Sequence, residues 1–412
     1  MICDLEFEFW TFINTCEMFL PFGIRFSLIF VDCLWISLIK ILPWRQIVFF
    51  VFILVVVVQL FYYLYFFSKV AFYKSKKRAR SQQHPVSVII CARDEDENIA
   101  RNLPGLLVQN YPSTYEVIAV NDNSIDDSKY ILKELQKTFK DRLNIIELTH
   151  EAKLINGKKY PLSIGIKEAS HEILLLTDAD CVPASENWLQ KMQDGYDDNI
   201  EIVLGYGAYH KLPGLLNKLI RFETFHSAMQ YFSFALAGLP YMGVGRNLSY
   251  KKEVFFRHKG FSSINHIAGG DDDLFINKAA TKKNIAVVID KDATTLSSPK
   301  KNWKDWLRQK TRHYSTAKYY KPLHKFLLGL YSLSQFLFYP LLILSFLFYS
   351  WKITTILFAT RFILQAVILF FAMKKLNEKD LWPLFPFFDL WLFIYYIIFA
   401  PSLWKKPRRA WN

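Results

Sequence analysis

Twenty-one consecutive residues, Ile47 to Phe67, carry no charged side chain. As a helix rising about 1.5 Å per residue they cover roughly 30 Å, the thickness of a bilayer core. The pattern therefore predicts a membrane span over 47–67, within an N-terminal membrane region 1–73. The basic cluster Lys74-Ser75-Lys76-Lys77-Arg78-Ala79-Arg80 follows and marks that end as cytoplasmic. Upstream, Met18 to Leu42 is apolar but interrupted by Arg25, Asp32 and Lys40. A second span, an interfacial helix and an extension from a misassigned start all remain open. The acidic first residues do not suit a cleavable signal peptide.

From about 84 to 325 the pattern changes to short apolar strands alternating with amphipathic helices. Val86 to Cys91, Tyr115 to Val120, Leu143 to Leu148 and Glu172 to Thr177 read as strands. Asn98 to Val108, Ser128 to Phe139 and Pro161 to Ala169 read as helices between them. This rhythm predicts an α/β domain with a mainly parallel sheet, whose ligands bind beyond the carboxyl ends of the strands. Apolar segments then return over 326–412. Phe326 to Tyr349 has no charge, and Ile353 to Met373 has only Arg361. Leu381 to Leu403 holds Asp389 and three prolines, so it either spans or breaks into a re-entrant helix. Three full spans after a cytoplasmic domain would put the tail Lys405-Lys406-Pro407-Arg408-Arg409 outside, against the positive-inside tendency.

Composition supports a membrane protein: 52% of residues are hydrophobic and 17% aromatic. The net charge of +14 suits cytoplasmic loops beside anionic lipid. Because the basic residues are dispersed and flank apolar runs, nucleic acid is not an expected partner. None of the five cysteines forms a Cys-x-x-Cys pair, so neither a zinc site nor a disulfide framework is indicated.

The chemistry-bearing residues fall at strand ends. Ile173-Leu174-Leu175-Leu176 leads into Thr177-Asp178-Ala179-Asp180. Residues i and i+2 of an extended chain point the same way, so Asp178 and Asp180 can share one site. Two convergent carboxylates suit a hard divalent cation, Mg²⁺ or Mn²⁺, which in turn suits phosphates. The first strand ends in Ala92-Arg93-Asp94-Glu95 and the second in Asn121-Asp122-Asn123-Ser124. Asp126 and Asp127 read as caps of the next helix. Asp271, Asp272 and Asp273 stand together, and crowded carboxylates raise one another's pKa, as a general base near neutrality requires.

In order and spacing these clusters resemble family 2 of the inverting, nucleotide-sugar-dependent glycosyltransferases. Their fold is GT-A, and the nearest likeness is to the membrane-embedded branch with cellulose, chitin and hyaluronan synthases. The likeness covers about residues 85 to 325. It implies that Ala92, Asp94 and Glu95 form the first nucleotide-contacting turn, that Asp122 reads the base, and that Lys158, in Asn156-Gly157-Lys158-Lys159, approaches the diphosphate. Asp178 and Asp180 would match the Asp-x-Asp motif holding metal and sugar diphosphate. Gly245 and Asn247, in Gly243-Val244-Gly245-Arg246-Asn247, would line the acceptor side. Asp272 would supply the catalytic base. Gln309, Arg312 and His313 would match the Gln-x-x-Arg-Trp motif that pins diphosphate and acceptor. His313 departs from the tryptophan of the processive synthases, which speaks for one sugar transfer rather than polymer growth. Trp303 to Arg308 mixes aromatics with charges and reads as an interfacial helix bringing the site to the bilayer.

The expected function is a multi-pass enzyme of the cell (inner) membrane with its catalytic domain, 84–325, in the cytoplasm. It would move sugar from a nucleotide-diphosphate sugar to a lipid-linked or glycan acceptor. A processive polysaccharide synthase is the alternative within the family. A transporter with a regulatory nucleotide-binding domain is the alternative outside it; against that, Arg361 and Asp389 read as isolated rather than paired intramembrane charges.

Overall fold

The computed structural model describes residues 44–75, 83–149, 157–267, 269–314 and 316–403, with the backbone alone for 312–314 and 402–403. Met18 to Leu42, most of the basic cluster after the first span, Asn156 and the tail 405–409 lie outside the described residues.

Helix α1 (Trp44–Ala71) widens into a π-helical turn at Tyr62–Phe67. There Tyr62, Tyr63, Phe66 and Phe67 are fully buried. The soluble part comes next: β1 (Val86–Ala92), α2 (Asp96–Leu107), β2 (Tyr115–Asp122), α3 (Ser128–Thr138), β3 (Leu143–Leu148), α4 (Lys159–Glu168) and β4 (Ile173–Leu176). After it come β5 (Cys181–Pro183), α5 (Trp188–Gln193), β6 (Ile202–Leu204), β7 (Gly207–Tyr209) and α6 (Leu215–Leu236). The remainder is β8 (Leu248–Lys251), α7 (Lys252–Arg257), α8 (Asp273–Ala279), β9 (Ile285–Val287), β10 (Thr295–Ser297) and α9 (Trp303–Tyr314). Helices α10 (Pro322–Phe348), α11 (Trp351–Lys375) and α12 (Phe385–Phe399) close the described chain.

The main sheet runs β3-β2-β1-β4-β8-β6-β9, and β8 alone is reversed. Strand β1 is buried throughout, and apolar but for Ser87, because both of its faces are covered. Val86, Val88, Ile90 and Ala92 pack with Ile99, Leu103 and Leu106 of α2. Ile89 and Cys91 point the other way, towards Leu162 and Ile166 of α4. Helix α4 lies so close that a Cβ at Gly165 would stand 2.8 Å from Ile89 Cγ2. The reversal of β8 sets Leu248, its first residue, opposite Leu176, the last of β4. The loop entering β8 thus reaches the same edge as the carboxyl ends of β1, β2 and β4.

Four helices among the described residues are long and apolar enough to cross a membrane: Trp44–Ala71, Pro322–Phe348, Trp351–Lys375 and Lys379–Phe399. At their centre Arg361 and Asp389 form a buried ion pair, which corrects the expectation that these charges are isolated. Asp389 also accepts from Gln335 (2.8 Å), Gln365 (2.8 Å) and Tyr339 (2.7 Å), while Arg361 Nε donates to Gln59 Oε1 at 2.6 Å. Each charge is held by groups from its neighbours, the arrangement that lets ionised side chains persist away from water.

The last apolar segment touches the soluble domain at both ends. At its start Arg221 of α6 holds Glu378 (2.5 Å) and Asp380 (2.7 Å). At its end Tyr395 donates to Glu223 at 3.4 Å, and Phe399 packs edge-on against Trp306 of α9 at 5.8 Å.

Candidate active site

The loops after β1 and β2 are stitched together. Asp94 and Asn123 both adopt the left-handed conformation (φ 54°), and Ile125 N–H donates to Asp94 Oδ1 at 2.8 Å while Asp94 N–H donates to Ser124 Oγ at 3.0 Å. Asp94 therefore shapes the rim of the cradle. Glu95 accepts from Asn98 Nδ2, and burial raises its pKa. Ala92 and Asp122 are buried at the tips of their strands. Asp126 accepts from the N–H groups of Asp96 and Ser128, each at 3.0 Å, fixing the first turns of both α2 and α3.

Across β1 from these loops, Asp178 pairs with Lys158 at the start of α4. Burial opposes the lysine's charge, but Asp178 and Asp271 outweigh it and raise its pKa. Ligand atoms of Asp178, Asp180 and Cys181 lie within 4.8 Å of one another. The Cys181 thiol is buried against Ser297 Oγ at 2.9 Å, leaving two carboxylates as an oxygen donor pair that fits Mg²⁺ or Mn²⁺. Burial and Asp178 raise the Asp180 pKa, and Arg246 opposes them. Arg246 was not among the residues expected to act. Its guanidinium lies 4.4 Å from the Tyr209 ring centre and 3.3 Å from Ser297 Oγ. It was legible as the one cation inside a glycine-and-asparagine loop; Tyr209 and Ser297 had no such signal.

Asp272 and Asp273 are held in different ways. Gly269 and Gly270 have φ of +83° and +87°, a turn that only glycine enters without strain. Asp272 follows as the N-cap of α8, accepting from Asp273 N–H at 2.7 Å and from Gly245 N–H at 2.8 Å. Burial, then Asp271 and Asp273, push its pKa up to about 7. Asp273 is instead saturated, taking bonds from Leu274 N–H (2.7 Å), Thr316 Oγ1 (2.6 Å) and Tyr320 Oη (2.8 Å). Its carboxylate is thus held in a clasp. A Cβ at Gly245 would lie 3.5 Å from Asp272 Oδ2 and 3.7 Å from Lys158 Nζ, so both groups face one cleft and Gly245 keeps it open.

Asn247 does not line that cleft. Fully buried, it donates to Tyr206 O (2.9 Å) and Ala293 O (2.7 Å) and accepts from Trp188 Nε1 (3.1 Å). It ties together the β6–β7 link, the turn before β10 and the start of α5, and a buried amide needs all of these partners. Gln309 is half-buried on α9, and the backbones of Arg312 and His313 continue that helix. Helix α9 is seated by Trp306, buried against Trp391, Tyr395 and Phe399, and by a Lys310–Glu223 ion pair. Its inner face thus packs on α12 and α6.

Residues 87–266 match the model of Glycosyl transferase family 2. The chain is 35% identical over 107 residues to Glycosyltransferase AglE of Haloferax volcanii, covering 26% of this chain and 33% of that protein. It is 26% identical over 209 residues to Poly(ribitol-phosphate) beta-glucosyltransferase of Bacillus spizizenii, covering 50% of this chain and 31% of that protein. It thus spans about a third of the length of these two curated relatives. Among solved structures, mannosyltransferase PcManGT from Pyrobaculum calidifontis, in complex with GDP-Man and Mn2+, superimposes with a TM-score of 0.54 at 19% identity. That match covers 84% of this chain and 99% of the other, and shows the GT-A fold.

Proposed function

Since the chain belongs, through residues 87–266, to Glycosyl transferase family 2, we propose that it is a membrane-bound inverting glycosyltransferase. It moves one sugar from a nucleotide-diphosphate sugar to a lipid-linked or glycan acceptor at the cytoplasmic face. The observation that carries this reading is the shared cleft in which Lys158 beside Asp178 faces Asp272.

In this mechanism Ala92, Glu95 and Asp122 bound the donor cradle. Asp178 and Asp180 hold the divalent cation, which when bound offsets the charge developing on the leaving diphosphate. Lys158 and Arg246 flank the carboxylate pair as cations suited to phosphate oxygens. Asp272 takes the proton of the acceptor hydroxyl. A pKa of about 7 leaves it basic enough to accept a proton, about half ionised at neutral pH and mostly ionised above it. Gly245 contributes through its N–H and its missing side chain. Gln309, Arg312 and His313 are carried by a helix packed on α12, close to where an acceptor anchored in the bilayer would arrive.

Single transfer is favoured over polymer synthesis by the centre of the membrane helices, where Arg361, Asp389, Gln335, Gln365 and Gln59 bond to one another. The same internal bonding speaks against a transport site. We also propose that Lys379–Phe399 is re-entrant. Its start and end reach Arg221 and Glu223, two residues apart on α6, so both ends lie on the side of the soluble domain.

The test uses the purified full chain in vesicles with several radiolabelled nucleotide sugars, a lipid extract, and Mg²⁺ or Mn²⁺. Metal-dependent release of nucleoside diphosphate, lost in Asp180→Ala and Asp272→Asn, is expected. Undiminished release in both variants overturns the site assignment.

A further inference from the structure

A second cleft lies away from the reaction centre, where α1 leaves the apolar region beside the end of α11. Its volume is about 560 Å³. One wall is Ala71 to Lys74, the opposite wall is the last turn of α11, and the soluble domain closes it with Ile289 to Lys291. Phe72 and Phe371, both exposed, stand with ring centres 5.3 Å apart on the side that continues into the apolar helices.

The charges around it are one-sided. Lys74, Lys291, Lys374 and Lys375 are all exposed, and among the described residues none pairs with a carboxylate. The single lining acid, Asp290, lies 3.4 Å from Lys191 Nζ and accepts from Asp292 N–H at 3.0 Å. Tyr73 Oη donates to Val287 O at 2.8 Å, which ties the exit of α1 to β9 and gives the cleft a fixed floor. Three ammonium groups at the ends of apolar helices and a fourth from the soluble domain, beside two exposed aromatic rings, match a ligand with an anionic head and an apolar body. A free phosphate ion or soluble phosphate ester would use the lysines but has no need of a wall open to the bilayer.

We propose that this cleft binds the headgroup of an anionic bilayer phospholipid, its phosphate among the four lysines and its acyl chains along Phe72 and Phe371. The bound lipid would bridge α1, α11 and the soluble domain at one point. The site shares no residue with the cleft of Asp178 and Asp272, and it rests only on the apolar helices lying in a membrane.

The full chain is reconstituted in vesicles of phosphatidylcholine with phosphatidylglycerol, and lipids retained on release are counted by native mass spectrometry. Selective retention of phosphatidylglycerol is expected, with a drop of roughly tenfold in Lys291→Gln/Lys374→Gln/Lys375→Gln. The control Lys129→Gln/Lys133→Gln/Lys140→Gln removes the same charge from exposed positions on or just after α3 and should retain the lipid. No selectivity, equal loss in the control, or displacement by millimolar inorganic phosphate overturns the proposal. Alkaline carbonate extraction separates the two premises: release of the chain overturns the membrane reading as well, whereas retention without lipid selectivity overturns this inference alone.

Discussion

Gly245 N–H donates to Asp272 Oδ2 at 2.8 Å, joining the loop that enters β8 to the start of α8 across 27 residues of chain. The loop into the reversed strand therefore orients the carboxylate proposed as the base. If Asp272 is the base, turnover rises with pH as its carboxylate ionises, with a midpoint near the value of about 7 to which burial and its neighbours push it. Nucleoside diphosphate release measured from about pH 5.5 to 8.5 checks this. Asp272→Asn should lower the rate by about 10²–10⁴-fold, and a flat wild-type profile would refute the assignment.

The same group makes a stability prediction of opposite sense. Its folded pKa of about 7 lies above the ordinary 3.8, so the folded chain binds this proton more tightly than the unfolded chain does. Stability is then fully present below pH 3.8 as far as this group is concerned, and falls as pH rises towards 7. Asn caps a helix about as well as Asp. Asp272→Asn should therefore be more stable than wild type at pH 8, by about 1–4 kcal/mol, and show no such gain at pH 4. Thermal unfolding at the two pH values tests it.

Asp273 should behave as structure, not as a base. Asp273→Asn and Tyr320→Phe weaken the clasp and should each cost about 1–3 kcal/mol. Both should leave the midpoint of the pH–rate profile in place. A shifted midpoint in Tyr320→Phe would show that the clasp tunes the base directly.

Removing one partner of a buried ion pair leaves the other charge uncompensated. Asp389→Leu should cost about 3–5 kcal/mol, read as a lower thermal midpoint in detergent. Arg361→Met/Asp389→Leu should recover much of that loss. If the double variant is as unstable as the single one, the pair is not the fastener that its geometry suggests.

A re-entrant Lys379–Phe399 predicts labelling from one side. With the five native cysteines replaced by serine, single cysteines at Lys379 and Ala400 should both react from the face that carries the soluble domain. A cysteine at Lys352, in the first turn of α11, should react only from the opposite face. Reaction of Ala400→Cys from that opposite face refutes the re-entrant path.

Local pattern made the strands legible, since β4 is a continuous apolar run and β1 is broken only by Ser87, and polar residues follow both. It also singled out Asp178 and Asp180, because i, i+2 spacing is a local device, whereas Asp272 was singled out from its neighbours only by the family resemblance. What escaped was set by contacts across the fold. Asn247 stands in a loop that reads as exposed, yet Trp188, Tyr206 and Ala293 close over it. The saturation of Asp273 depends on Thr316 and Tyr320, more than 40 residues away. Arg361 and Asp389 lie in different apolar segments, and only the packing of α10, α11 and α12 brings them together.

The clasp on Asp273 bears on how the protein can be divided. Thr316 and Tyr320 stand between the end of α9 and Pro322, the first residue of α10. A fragment ending at 314 would keep every residue named for donor binding and still lose both hydroxyl partners of the residue next to Asp272. Such a fragment is not the enzyme minus its anchor: part of the support for its proton acceptor has been cut away with the membrane helices.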